Sequence, residues 1–298
     1  MQVDVVCIGH ASYDLVFELD HHPEADEKCT ASGLVACGGG PAANAAVTAT
    51  RLARRAAFVG YLGWDPLGDA HFQELVREGV ETALVCRGDS PTPLSVVLVK
   101  PDGRRALVNY RGATPPLAAD AVDPQSLEAK VALFDGHEPE VSSCFLPHCR
   151  SQGMATVLDA GSLHPGTRQL MFEVDYLVAS RKFAAQWLGR DDPPQALEKL
   201  SAQSPAVVIT LGEEGVIWQR GDERGAMPAF PVQAVDTTGA GDTFHGAFAV
   251  ALADGLGWLE TLRFASAAAA LSCTKLGARP GIPVRAEVEA FLARHRSI

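Results

Sequence analysis

Positive charge is scarce in this sequence. Its 298 residues carry 25 Lys and Arg against 36 Asp and Glu, a formal net charge of -11 at pH 7. Sequence-independent binding to nucleic acid or to an anionic membrane needs clustered cations, so both are excluded in favour of small-molecule partners. Long apolar runs are missing too, although 47% of the residues are hydrophobic, and without such a run there is no membrane-spanning helix. The N-terminus, MQVDVVCIGH, has no basic stretch ahead of its short apolar run and reads as a first strand rather than a signal peptide. Cysteines are few and unpaired in pattern: seven, at 7, 29, 37, 86, 144, 149 and 273. An odd, scattered set argues against a disulfide framework and for a reducing cytoplasm. Cys144, His148 and Cys149 lie close together, but no second pair stands at a zinc-site spacing. No Gly-Lys pair occurs anywhere, which excludes a Walker A loop, and GGGPAAN at 38–44 lacks the third glycine and downstream acid of a dinucleotide fingerprint.

What is present is a regular alternation. Near-continuous apolar runs at 3–8, 56–61, 131–134, 155–158, 176–179 and 207–210 read as strands covered on both faces. Helical-period segments lie between and after them, at 41–52, 67–78, 138–152, 194–203, 243–253, 258–276 and 286–295. The pattern predicts an α/β fold, a mostly parallel sheet with helices on both faces, with ligands beyond the carboxyl ends of the strands. Two segments break the alternation: LVFELDHHPEADEKCTASGLVACGGG after the first strand, and PTPLSVVLVKPDGRRALVNYRGA, two strands joined by a Pro101-Asp102-Gly103 turn. Both are expected to meet in a small separate sheet over one end of the main one. Apolar content suffices for one large domain, or for a core domain with such an appendage.

The densest chemistry is DTTGAGD at 236–242, set directly against the apolar helix TFHGAFAVALADG. The first amides of a helix have no partner inside it, and the peptide dipoles add roughly half a positive charge there, so this end suits an anion. Gly239 and Gly241 remove side chains that would keep an anion away from those amides. Asp242 has two readings. It is an ordinary helix cap, or a general base beside an anion held by the glycine amides, close enough to take the proton of an attacking hydroxyl.

DTTGAGD, together with GGGPAANAA at 38–46, resembles the two signatures of the PfkB-type, ribokinase-like sugar kinases, and the resemblance spans nearly the whole chain. TLGEEG at 210–215 and TKLGARPGIP at 274–283 fall in the family's order and spacing. It implies a ribokinase-like fold with a nucleotide- and substrate-binding core at 1–12, 36–90 and 111–298, and a β lid at 13–35 and 91–110. It further implies that Asp242 is the catalytic base and that Gly239, Ala240 and Gly241 stabilise the transferred phosphoryl group. Asp236 and Thr238 would help hold a monovalent cation, K+ being the candidate. Thr210 and Gly212 would line the nucleotide, with Ser180, Cys273 and the Ala-rich helix at 265–271, including Ala268, beside it. Asp14, Asn44, Gly39 and Gly40 would bind the sugar. The implied activity is ATP- and magnesium-dependent phosphorylation of a primary hydroxyl of a small sugar, in a homodimer formed through the lid.

Two departures stand out. Where the family often has Asn-x-x-Glu, residues 180–183 read SRKF, without the amide and acid that help order magnesium-bound water. The overall pattern is nearest to the sulfofructose kinase branch, in which Lys28 and Asn109 lie where the sugar is contacted. The Arg expected after the strand at 131–134 is replaced in FDGHEPE by His137, a weaker and pH-dependent partner for a sulfonate. Competing readings are a nucleoside kinase and a non-catalytic sugar sensor on the same fold. A dehydrogenase has no fingerprint in the chain.

Overall fold

Residues 1–295 are described by the structure, a computed structural model; positions 296–298, the end of the expected core segment, lie outside the described residues. The chain opens with β1 (Val5–Ile8), β2 (Ser12–Glu18) and β3 (Gly33–Gly39), then α1 (Pro41–Arg51), β4 (Ala56–Gly63), α2 (Pro66–Arg77) and β5 (Val85–Gly88). The hairpin of β6 (Leu94–Val99) and β7 (Arg105–Tyr110) follows, then β8 (Val131–Phe134), α3 (Pro139–Gln152), β9 (Ala155–Ala160), α4 (Pro165–Leu170), β10 (Tyr176–Ser180), α5 (Arg181–Leu188) and α6 (Pro193–Ser201). The last part runs β11 (Ala206–Thr210), β12 (Val216–Arg220), β13 (Glu223–Met227), α7 (Ala240–Ala253), α8 (Trp258–Ser272), α9 (Ala278–Gly281) and α10 (Arg285–Arg294).

Nine strands form the main sheet in the order β13-β12-β11-β10-β9-β8-β1-β4-β5, parallel from β11 to β5, with β12 and β13 added antiparallel at one edge. Alternate side chains feed two cores. Val5 and Cys7 of β1 pack with α1, α7 and α8, while Val6 and Ile8 pack with α3 to α6 on the opposite face. That double burial is why these strands are continuous apolar runs.

A smaller four-stranded sheet, ordered β3-β2-β6-β7, brings the two irregular segments together. The pairing of β2 with β6 is parallel and the other two are antiparallel. Its inner face rests on Val16, Val97 and Val99 with Val35 and Leu276 against them. Each fully buried side chain of this size contributes roughly 1.5–3 kcal/mol, so this sheet is held far less firmly than the main one.

All six expected strands and all seven expected helices are present. The helix expected at 258–276 stops at Ser272. The carbonyl of Cys273 there accepts from Val235 N at 2.8 Å and Asp236 N at 3.2 Å, so the chain leaves the helix to hold the loop ahead of α7.

Candidate active site

The chain runs from β1 through the small sheet to β4 on one side and returns to β8 on the other, which opens a crevice beyond the carboxyl ends of β1 and β8. Asp135, just past β8, fastens this crevice. Its carboxylate accepts from His10 N at 2.7 Å, His137 N at 2.8 Å and Ala42 N at 3.2 Å, joining both strand ends to the start of α1.

α7 begins over the same crevice. Gly239, its N-cap, adopts φ 73°, and a Cβ there would lie 2.6 Å from the Ala278 Cβ, so only glycine fits. A Cβ on Gly241 would meet no atom within 4 Å and would fill the cleft instead. The Ala240 amide reaches back to Thr237 O at 3.3 Å. Those of Gly241 and Asp242 have no protein partner among the described residues, leaving donors aimed where an anion would sit.

Asp242 is half-buried, and its Oδ2 accepts from Asn44 Nδ2 at 2.7 Å. The orientation of that amide is set from behind. Asn44 Oδ1 accepts from Arg279 Nε at 3.2 Å, which leaves the Asn44 N–H group for the carboxylate. Arg279 is only 2% exposed; it also reaches Glu74 Oε1 at 3.3 Å and His71 Nε2 at 3.3 Å. The other oxygen of Glu74 accepts from Gly38 N at 2.7 Å. One buried polar chain thus runs from the GGG segment to Asp242. Burial raises the Asp242 carboxyl above its ordinary value, opposed by the Asn44 N–H and by the charges of His245 and Arg105.

His245, a turn along α7, faces oxygen acceptors with both ring nitrogens: Gly241 O at 2.6 Å and Asp159 Oδ2 at 3.3 Å from Nδ1, and Val178 O at 3.1 Å from Nε2. Burial raises the Asp159 carboxyl, and the neighbouring His245 charge opposes the rise.

On the expected sugar side, Asp14 is buried, accepts from Ser12 Oγ at 2.7 Å and sits so close to Gly39 that a Cβ there would fall 2.1 Å from its Oδ2. Its carboxyl is raised by burial. The register places Asp14 beside Ser95 and Ser95 opposite Asn109, a polar row on the inner face of the small sheet. Gly40 ends that approach as the N-cap of α1, at φ 93°. His137 stacks on His164 at 4.5 Å and meets His10 edge-on at 5.1 Å. Arg111, from the chain leaving β7, contacts His10 Nδ1 at 3.1 Å. Desolvation lowers His10 and takes His164 down to about 4. Lys28 is exposed on the β2–β3 loop and makes no ion pair or hydrogen bond among the described residues, so no contact joins it to this group.

On the expected nucleotide side, Ser180 caps α5, accepting from Phe183 N at 3.0 Å and donating to Gly161 O at 2.8 Å. Thr210 Oγ1 donates to Ala179 O at 3.4 Å, and Gly212 turns at φ 64°. Ala268 is sealed in the core, so it offers no surface to a ligand; the partly exposed face of α8 is carried by Ala269 and by Cys273 four residues on. Asp236 is buried. Its Oδ1 accepts from Thr238 N at 2.8 Å and Thr238 Oγ1 at 2.7 Å, and its Oδ2 from Gly277 N at 2.8 Å. The loop before α7 is tied to the loop before α9 in this way.

Sequence reasoning passed over Arg279, Asp159, His245, Asp135 and Arg111. A signal existed for three of them: Asp135 and Asp159 are acids ending apolar strands, and His245 is an ionisable residue in an otherwise apolar helix, one turn from Asp242.

Unpartnered amides, a carboxylate held beside them and a polar floor under a small sheet together define a group-transfer site for a hydroxyl-bearing ligand. Residues 2–285 match the profile of the pfkB family carbohydrate kinases. The chain is 33% identical to the ribokinase of Bacillus subtilis over 296 residues, covering 97% of this chain and 99% of that one. Among solved structures, it is similar to the ribokinase of Thermotoga maritima, at 30% identity, TM-score 0.85 and coverage of 98% and 99%. It is likewise similar to the ribokinase of Arabidopsis thaliana complexed with ribose and ATP, at 28% identity, TM-score 0.83 and the same coverage. The chain belongs to the PfkB family and is a carbohydrate kinase with the ribokinase-like fold.

Proposed function

We propose that this enzyme transfers the γ-phosphoryl group of ATP to a primary hydroxyl of a small sugar or sugar derivative, ketose or sulfosugar-like. The observation that carries the reading is the pair formed by the partnerless Gly241 and Asp242 amides and the Asp242 carboxylate, whose Oδ2 is held by Asn44. Asp14, Asn44, Asn109 and the Gly39 and Gly40 backbone bind the sugar hydroxyls, with Lys28 and His137 at its far end. Asp242 takes the hydroxyl proton as the oxygen attacks phosphorus in line, and the Gly239-Ala240-Gly241 turn, through the free amides of Gly241 and Asp242, holds the charge on the moving group. Arg111 beside the cluster of three imidazoles supports an anionic substituent on the acceptor, because a guanidinium fork suits a sulfonate or carboxylate.

Thr210, Gly212, Ser180, Cys273 and the exposed face of α8 receive the nucleotide. Asp236 is a buried acid contacted, among the described residues, by neutral donors and by no Lys, Arg or His, a donor set that fits a monovalent cation such as K+ with Thr238 beside it. Magnesium fits less well at 180–183. Ser180 is used as a cap and Arg181 pairs with Asp191 and Glu214, so no carboxylate there is offered to it.

The small sheet acts as a lid that excludes water from the reaction. Its outer face, with Leu15, Phe17, Leu34, Val96, Val108 and Tyr110, is apolar and without cover among the described residues, and Val108 is 64% exposed. A second copy of the same face is the partner that suits it, giving a homodimer through the lid.

Screening neutral sugars, sugar acids, sulfosugars and nucleosides for ATP consumption with Mg-ATP tests the reading, with NMR of the product to locate the phosphate. Turnover of a sugar with phosphate on its primary carbon is expected. Turnover of nucleosides alone, or sugar binding without any turnover, overturns it.

A further inference from the structure

The lid reaches the anion hole at one point. Arg105 opens β7 on the inner face of the small sheet, and its Nη1 donates to Thr237 Oγ1 at 2.7 Å, across 132 residues of chain. Thr237 lies two residues before Gly239. The β6–β7 turn touches the same loop, because a Cβ on Gly103 would lie 3.6 Å from Val235 O. The tip of the lid hairpin therefore rests on the segment that carries the phosphoryl-binding amides.

The Arg105 guanidinium is uncommitted. Its partner is a neutral hydroxyl, it forms no ion pair, and the rest of its donors are unused among the described residues. Acids are nevertheless at hand: Asp242, Asp14, Asp135 and Asp159 all surround the crevice. Their charge has to be offset when a phosphoryl group with several negative oxygens arrives. Of the other local cations, Arg279 is held by Glu74 and Asn44, Arg181 by Asp191 and Glu214, and Arg111 lies against His10 on the sugar side of the crevice. The chain has no Gly-Lys pair to supply a lysine from a phosphate loop. The charge of Arg105 already acts on Asp242 and on Cys273, on either side of the hole.

We propose that Arg105 is a catalytic residue delivered by the lid: with the sugar bound and the lid closed, its guanidinium contacts the equatorial oxygens of the phosphoryl group in transit. In that step the acceptor oxygen forms a bond to phosphorus, its proton passes to the Asp242 carboxylate, and the bond to the bridging oxygen breaks with its electron pair leaving on the nucleoside diphosphate. A loose, charge-rich transition state gains most from a planar fork of donors. Because the cation is carried on the small sheet and docks on a neutral hydroxyl beside the hole, a sugar bound under that sheet, rather than nucleotide binding alone, moves it onto the phosphoryl group, completes the charge balance and limits transfer to water.

This inference rests on the reading that the α7 amides hold the transferred group. Arg105→Gln is expected to lower kcat by about 10² to 10³ while the KM for sugar and the affinity for ADP alone change no more than about threefold. Binding of ADP with aluminium fluoride in the presence of sugar, measured by calorimetry, should weaken by a similar factor. Arg105→Lys should recover part of the loss. Thr237→Val removes the docking hydroxyl and leaves the charge, and is expected to cost no more than about fivefold in kcat. Equal losses in Arg105→Gln and Thr237→Val would reduce Arg105 to a latch, and an unchanged kcat in Arg105→Gln would remove it from the reaction; either overturns the proposal. The wild-type protein separates the two ideas. If it turns over no sugar, the phosphoryl-binding reading itself has failed.

Discussion

Asn44 shows how a single residue is made specific. Its amide has an oxygen end that only accepts and a nitrogen end that only donates, and Arg279 selects which end meets Asp242. Arg279→Met removes that selection and strands the half-buried Glu74. It should destabilise the fold by about 3–5 kcal/mol and lower kcat more than it raises the KM for ATP, as checked by thermal unfolding and steady-state kinetics. The raised Asp242 carboxyl has its own consequence. A base whose folded value lies above the ordinary 3.8 loses its charge as pH falls through that higher value, so the acid limb of the kcat/KM profile should lie above pH 3.8. At this scale Asp242 was legible because glycines and an acid at a helix start have few uses. Arg279 was not, since nothing local in GARPGIP reveals that its side chain turns inward to meet residues more than 200 positions away.

Among the elements, α7 carries the site through its first turn, and the shape of that turn depends on Gly239. Gly239→Ala forces a side chain onto φ 73° and against Ala278. It should cost about 1–3 kcal/mol of stability and reduce kcat, whereas a variant with unchanged melting and kinetics would show that the turn tolerates a side chain. The elements that sequence reading found were those with continuous apolar stretches or a clear helical period, such as β8, buried at every position, and α2. Those it missed were short or at an edge. β12 and β13 are half-exposed at the sheet margin, and α5 follows β10 without a break, its start marked only by the Ser180 cap. SRKF at 180–183 read as a lost metal motif, and in the structure the same residues serve as a helix cap and an ion pair.

At the scale of the molecule, two properties follow from what the folded chain buries and what it leaves uncovered. Glu138 is buried, accepts from Leu117 N at 2.5 Å, and is pushed up to about 7 from 4.5 by desolvation. The folded state then keeps a proton that the unfolded chain releases between those values. Stability therefore declines as pH rises through 4.5 to 7 and stays lower above. Glu138→Gln keeps the acceptor and drops the charge, so it should exceed the wild type at pH 8 by about 1–3 kcal/mol and match it near pH 4.5; thermal unfolding at both values decides. The apolar outer face of the small sheet predicts a dimer in light scattering, and Val108→Asp should return a monomer. The division into two sheets was legible because the irregular segments broke the helix–strand alternation. Their contact across the cleft, through Arg105 and Thr237, was not, because pairing between distant segments leaves no periodic trace.

The central claim is that the α7 amides hold the phosphoryl group while Asp242 removes the proton from the acceptor. Its most direct measurement is the single-turnover rate of Asp242→Asn at saturating sugar and ATP, with sugar affinity followed by calorimetry. The account predicts a rate lower by about 10² to 10⁴ with affinity nearly unchanged. A variant that keeps the wild-type rate would contradict it.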